Sequence, residues 1–228
     1  MFAALALVIV ASAARPDERL DALVARVARA YGGEKALARV KARRETGTLK
    51  SPRGVARTVR VFAPPDRLRV EIVYPDGSGE TRVLDGQEGF RNGEQVFGPP
   101  RDAMVLQAAR LDLPGLLLRN RDLLVDLGNV ERAGRTLRGI GVPMPGNLNV
   151  AVTVDPGTAR IVRSEGALPG PGPGGQIRFA TDYSDFRTVR GVLFAFRESN
   201  FASGQQTGET RLQKIEVLDA PPQGSFRP

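Results

Sequence analysis

From Ala42 to Leu218 the chain alternates apolar and polar residues with a period of two, and it gives way to a helical pattern between Asp102 and Leu118. Such a pattern demands a long antiparallel sheet with one face turned away from water. The expected strands before the interruption are Arg44–Lys50, Gly54–Ala63, Arg67–Tyr74, Glu80–Asp85, Gly89–Arg91 and Gln95–Phe97. Turn chemistry separates them, as in Tyr74-Pro75-Asp76-Gly77, Asp85-Gly86 and Asn92-Gly93. After it come Leu123–Ala133, Arg135–Val142, Leu148–Asp155, Ala159–Ser164, Gln176–Ser184, Val192–Phe201 and Glu209–Leu218. Gly166–Gly175, rich in Gly and Pro, is expected to be a mobile loop. Nothing in this order suggests βαβ units. The register continues across the interruption, which argues for one domain.

Helices have their own signals. Leu20, Leu23, Val24, Val27 and Tyr31 share one face behind Pro16-Asp17, with Asp17 a candidate N-cap and Gly32-Gly33 a stop. Glu34–Lys41 is expected to form a second short helix that buries Ala36, Leu37 and Val40. The stretch Asp102–Leu118, broken near Pro114-Gly115, is apolar nearly all round and must be covered on several sides, in a core or across an apolar cavity.

Composition removes most catalytic chemistry. The 228 residues include no His and no Cys, which excludes disulfides, thiolate zinc sites, Cys nucleophiles and Ser-His-Asp triads. No cofactor and no metal is expected, and the protein is not expected to be an enzyme. Asp76-Gly77-Ser78-Gly79-Glu80 has too few carboxylates for a calcium loop and is better explained as a hairpin turn. Asp182 and Asp185 flank a turn rather than converge as an acid–base pair, and Gly170–Gly175 lacks the Lys-Ser/Thr of a phosphate loop. The formal charge is +8, almost all of it arginine, scattered without a basic block or tail. A surplus of solvated arginine explains it more simply than a nucleic-acid surface, and no nucleic acid is expected as a partner.

The N-terminus points outside the cytoplasm. Phe2–Val10 is an unbroken apolar run, followed by the small-x-small pattern Ala11-Ser12-Ala13. Residues 1–14 are read as a signal peptide, although no basic residue precedes the run. As a helix they would span roughly 21 Å, too short for a bilayer. The expected mature form is periplasmic and soluble, without an acyl anchor or a transmembrane span, though peripheral membrane contact is allowed. Residues 220–228 are expected to be a disordered tail.

Six of the thirteen aromatics (Phe179, Tyr183, Phe186, Phe194, Phe196, Phe201) fall within 23 residues. A long curved sheet with few helices leaves a concave apolar face in need of a partner, and an acyl chain would gain roughly 0.8 kcal/mol per buried CH₂. The expected cavity wall is Leu68, Val70, Ile72, Tyr74, Phe179, Tyr183, Phe194 and Phe196, with Met104, Leu106 and Leu111 as a lid. These faces follow from alternation, so a one-residue slip would reverse any of them.

Beyond these patterns, Tyr31-Gly32-Gly33-Glu34-Lys35-Ala36-Leu37, Val40-Lys41 and a first strand containing Gly47 resemble the N-terminus of bacterial outer-membrane lipoprotein-sorting proteins, the LolA-LolB-like carriers. Asp182–Phe196, with Val189-Arg190-Gly191-Val192-Leu193-Phe194, resembles their closing turn, and Ala195 stands where proline is common; Thr207–Val217 is similar to their last strand. The resemblance implies an α+β fold, an open, incomplete antiparallel barrel of about 10–11 strands with helices on or in its concave face. It implies one lipid-binding domain over 15–219 and a lipid or lipidated protein as partner. A second implication is an envelope sensor or scaffold on the same fold, holding a protein partner and no lipid. The carriers' latch arginine and the receptors' protruding leucine have no assignable position.

Overall fold

The computed structural model describes residues 16–170 and 175–228. The expected signal peptide, the side chain of the candidate cap Asp17 and the middle of the Gly-Pro segment lie outside the described residues. Two helices lead, α1 (Pro16–Ala30) and the single turn α2 (Glu34–Leu37). Six strands follow: β1 (Ala42–Ser51), β2 (Gly54–Ala63), β3 (Arg67–Val73), β4 (Gly79–Asp85), β5 (Glu88–Arg91) and β6 (Glu94–Val96). After α3 (Pro99–Leu111) and α4 (Gly115–Arg119) come β7 (Val125–Arg132), β8 (Arg135–Met144), β9 (Leu148–Val154) and β10 (Ile161–Pro169). The chain closes with β11 (Gln176–Val189), β12 (Val192–Ala202) and β13 (Gln205–Leu218).

All thirteen strands form one antiparallel sheet in the order β6-β5-β4-β3-β2-β1-β13-β12-β11-β10-β9-β8-β7. Every strand pairs with its sequence neighbour, and β1 pairs with β13 to join the two ends of the meander. The gap therefore falls between β6 and β7, the strands that α3 and α4 connect. The break in the alternating pattern and the opening of the sheet are one feature. The thirteen strands correspond in number to the thirteen segments expected from alternation and exceed the 10–11 that the resemblance implies, with even the short β5 and β6 paired into the ladder.

Helix α3 touches β3, β4 and β5 on one side and β9 and β10 on the other. Those strands lie far apart in the sheet, so the sheet has to curl around the helix as an open barrel. On one flank Met104, Ala108 and Leu111 meet Phe62, Leu68, Val70 and Leu84. On the other, Leu106 and Ala109 join a larger core in which α1 (Leu20, Leu23, Val24, Val27), the Tyr31 that follows it and α4 (Leu116, Leu117) pack on Ile140, Val142, Val150, Val152, Val154 and Ile161. The spread of apolar residues around α3, rather than along one stripe, follows from this placement between two walls.

Two glycines of the sequence motifs mark close approaches. A Cβ at Gly32 would lie 2.0 Å from the Gly191 carbonyl oxygen, where α1 docks on the β11–β12 turn, and the φ of +107° there favours glycine. A Cβ at Gly47 would lie 2.2 Å from the Arg211 carbonyl oxygen, beside the bulge that shifts the β1–β13 register.

Three expectations need correction. The second helix stops at Leu37, with Lys41 outside it. Gly166–Pro169 is strand, because Gly166 pairs with both Val150 and Phe179 and its missing side chain admits Leu106. The C-terminal tail is packed: Phe226 is buried on the convex face among Ala42, Val61, Ala63 and Val83, and Arg69 donates to the Arg227 carbonyl at 2.9 Å. An aromatic side chain and an outward patch of small apolar residues on β2 supply the burial that a disordered tail lacks.

Candidate functional site

Between α3 and the sheet lies an open cavity of about 330 Å³. Val70 and Ile72 of β3, Leu106 of α3, Val150 of β9 and Phe179 and Phe201 of β11–β12 supply apolar walls. Thr58 and Arg60 of β2, Arg82 of β4, Gln107 and Arg110 of α3, Thr181, Asn200 and Thr210 supply a polar one. A second opening of about 410 Å³ lies between α2, α4 and β12, lined by Leu37, Val40, Leu113, Leu118, Leu193 and Phe194 together with Arg43, Asp112 and Arg119.

Of the anticipated wall, Val70, Ile72 and Phe179 reach the cavity beneath α3, and of the lid, Leu106 does. Leu68 does not line it; it packs with Met104 and Leu111 in the core between α3 and β2–β4. Tyr183 and Phe194 border a space of about 40 Å³ behind Arg110, and Phe194 also faces the second opening. Phe196 packs on Leu212 and Ile215. Tyr74 sits at a hairpin end, its hydroxyl 3.1 Å from the Ser51 hydroxyl and its ring under the Arg53 guanidinium. Alternation alone does not separate the residues that border the cavity from those that the helices and neighbouring strands seal.

The polar wall was not anticipated. Arg43 and Glu45 of β1, Arg60 of β2 and Glu198 of β12 point into the barrel and are buried, contrary to the expectation that the arginines are solvated surplus. Arg43 Nε is 2.6 Å from Glu45 Oε1, and Arg60 Nε is 2.7 Å from Glu45 Oε2. Arg60 also grips Glu198 with both terminal nitrogens, at 2.7 and 3.0 Å. Such a bidentate pair is stronger and more specific in geometry than a single contact. Burial pushes the Glu198 pKa up, but the charge of Arg60, aided by Arg110 and Arg43, outweighs it and holds Glu198 below the ordinary glutamate value. Burial likewise opposes the Arg60 charge, yet Glu198 and Glu45 hold its pKa above the usual value. A trace was present in the sequence: Arg43, Glu45 and Leu49 share a parity on β1. Arg44, Thr46 and Thr48 are equally polar on the other parity, so the pattern pointed neither way.

Arginines also tether α3. Arg101 Nε donates to the Gln87 carbonyl at 3.0 Å, Arg82 to Gln107 Oε1 at 3.3 Å, and Arg110 to Thr181 Oγ1 at 2.6 Å. Arg43 donates to the Leu111 carbonyl at the C-terminal end of the helix.

The weak catalytic candidates resolve into ordinary structure. Asp76 accepts from the Ser78 backbone N–H at 2.9 Å within its turn. Asp182 pairs with Arg132 and Arg163, and Asp185 with Arg187; contrary to expectation no turn separates them, since both lie within β11. Among the described residues no group of three or more His, Cys, Asp or Glu is placed to hold a metal ion, and no helix is long and apolar enough to cross a membrane.

Comparison with solved structures places the architecture. A putative outer membrane lipoprotein-sorting protein domain from Vibrio parahaemolyticus matches with a TM-score of 0.54 at 10% identity, over 91% of this chain and 94% of that one. A LolA superfamily protein from Nitrosomonas europaea matches with a TM-score of 0.52 at 12% identity, over 84% and 95%. The fold is LolA-like. At these identities the likeness concerns the fold alone. No family model matches the sequence, and no curated protein matches it. On this LolA-like frame the cavity has an apolar wall and a polar wall that carries arginines.

Proposed function

We propose that the protein is a periplasmic, non-catalytic binder or carrier of an apolar chain, from a lipid or a lipidated protein, held in the cavity beneath α3. The observation that carries this reading is the open space of about 330 Å³ bounded by Val70, Ile72, Leu106, Val150 and Phe179. Its size lies at the lower end of small-molecule sites. The apolar run at residues 1–14 and the fold's likeness to a lipoprotein-sorting domain support the cell envelope as its place of work. In this reading α3 acts as a lid, and the bond from Arg43 to the Leu111 carbonyl holds it closed until a ligand displaces it.

Native mass spectrometry of protein isolated from the envelope tests the proposal. A ligand mass in the range of an acyl lipid is expected. It should disappear in Ile72→Trp, which fills the space. Bare polypeptide mass, together with failure to displace a fluorescent acyl probe, overturns it. One observation favours a second reading, an interaction module with no lipid. Leu123, Val125 and Leu127 are exposed at the β7 edge of the sheet, where a protein partner would find apolar contacts and unpaired backbone groups. A lipid-free chain that retains a partner on pull-down would decide for that role.

A further inference from the structure

We infer that the cavity beneath α3 contains a cationic subsite, centred on Arg110, that takes the anionic headgroup of a single-chain acyl ligand. This deepens the lipid-binding reading above and rests on it. Three guanidiniums, Arg43, Arg60 and Arg110, face two carboxylates, Glu45 and Glu198. Both carboxylates are engaged by ion contacts to Arg43 and Arg60.

Arg110 is left with neutral acceptors. Its Nη1 donates to Thr181 Oγ1 at 2.6 Å and to Asn200 Oδ1 at 3.2 Å. Its buried Nε has no hydrogen-bond partner, and among the described residues no carboxylate lies within ion-pair distance of it. The other charges at the cavity are already matched: Arg82 to Glu80 at 2.5 Å, and Glu165 to Arg163. Arg110 is half-buried at the open cavity and, unlike Arg43 and Arg60, makes no close ion pair, so an anion seated against its guanidinium would supply the charge-assisted contact that the protein itself does not.

The surroundings define the rest of the ligand. Ile72, Leu106 and Phe179 continue the same cavity with apolar surface, so head and tail chemistry are both provided within about 330 Å³. That volume suits one chain rather than two. A carboxylate and a phosphate monoester both match a guanidinium with free N–H groups.

The test uses the full delipidated chain and three probes of equal chain length: palmitate, hexadecyl phosphate and uncharged hexadecanol. Each competes with a fluorescent acyl probe on the native protein and on Arg110→Gln and Arg110→Lys. In the native protein the anionic ligands are expected to bind about tenfold or more tightly than hexadecanol, as a charge-assisted contact would give. Arg110→Gln should erase that preference, so that palmitate, hexadecyl phosphate and hexadecanol bind within about twofold of one another, and Arg110→Lys should keep most of it. Tighter binding of the phosphate identifies a phosphate-bearing head, and tighter palmitate a free fatty acid; either supports the anion subsite. Equal affinity for palmitate and hexadecanol in the native protein overturns the subsite and leaves lipid binding standing. Failure of all three probes overturns both. The hexadecanol arm shows whether each variant still folds around its cavity.

Discussion

The two flanks of the barrel interior are built from different chemistry. Across β8, β9 and β10 the inner face is aliphatic and is stoppered by α1 and α4. Across β1, β2 and β12 the inner face carries Arg43, Glu45, Arg60 and Glu198, with Thr58, Asn200 and Thr210 alongside. The aliphatic flank can be filled by any helix of suitable shape, because dispersion and burial have no direction. The ionic flank cannot be covered by an apolar helix without stranding charges, so α3 meets it through Arg110 and the Leu111 carbonyl. The open space survives where the two chemistries meet. The cavity is therefore not surplus apolar surface left over by too few helices, as the sequence alone suggests, but a boundary between an apolar and a charged wall.

Substitutions can break this contrast. The largest effect is expected on the ionic flank: Arg60→Met should cost about 3–5 kcal/mol in urea unfolding, because it strands Glu198 and half of Glu45. Adding Glu198→Leu should restore much of that loss, since the Arg43–Glu45 pair survives. Additive losses in the double variant would mean that the pair is not the coupled unit described here. The same flank should be sensitive to acid. The folded-state pKa of Glu198 lies below the ordinary value, so its stabilisation is complete above about pH 4.5 and is lost as the pH falls through the lowered value. Glu198→Gln should flatten the acid limb of a stability–pH profile.

The aliphatic flank should respond through cavity formation. Leu117→Ala, at a fully buried position, is expected to cost about 2–5 kcal/mol with no change in the pH profile. Phe226→Ala should cost less, about 1.5–3 kcal/mol, because it uncovers one patch on the convex face. A neutral result there would return the tail to the disorder expected from its composition. The smallest change is expected at Tyr31→Phe, about 1 kcal/mol. It removes the hydroxyl that accepts the Ile161 N–H at 3.1 Å and so loosens α1 on β10.

Much of the architecture is legible in the residues. The period-two segments correspond to the strands, and the one helical interval marks where the sheet opens. Leu20, Leu23, Val24, Val27 and Tyr31 were recognisable as a buried helix face by spacing and do form one. The site is less legible. Val70, Ile72, Leu106 and Phe179 were named and do border the cavity, yet Leu68, Met104 and Leu111 look the same in sequence and are sealed in the core. Arg43 and Arg60 give no signal among so many arginines, because polar residues occupy both parities of β1 and β2, and Arg110 stands in a segment that reads as apolar nearly all round.

What the linear chain settles is local: the period of each segment, the turns between them, and the place where strand gives way to helix, all of which depend on backbone preferences and near neighbours. Whether a given side chain ends in the core, on the cavity wall or in an ion pair is decided by strands and helices remote in sequence. Arg60 and Glu198 are 138 positions apart and meet through the closure of the sheet between β1 and β13. A buried charge is stable only where its partner has been delivered, and that delivery is the work of the whole fold.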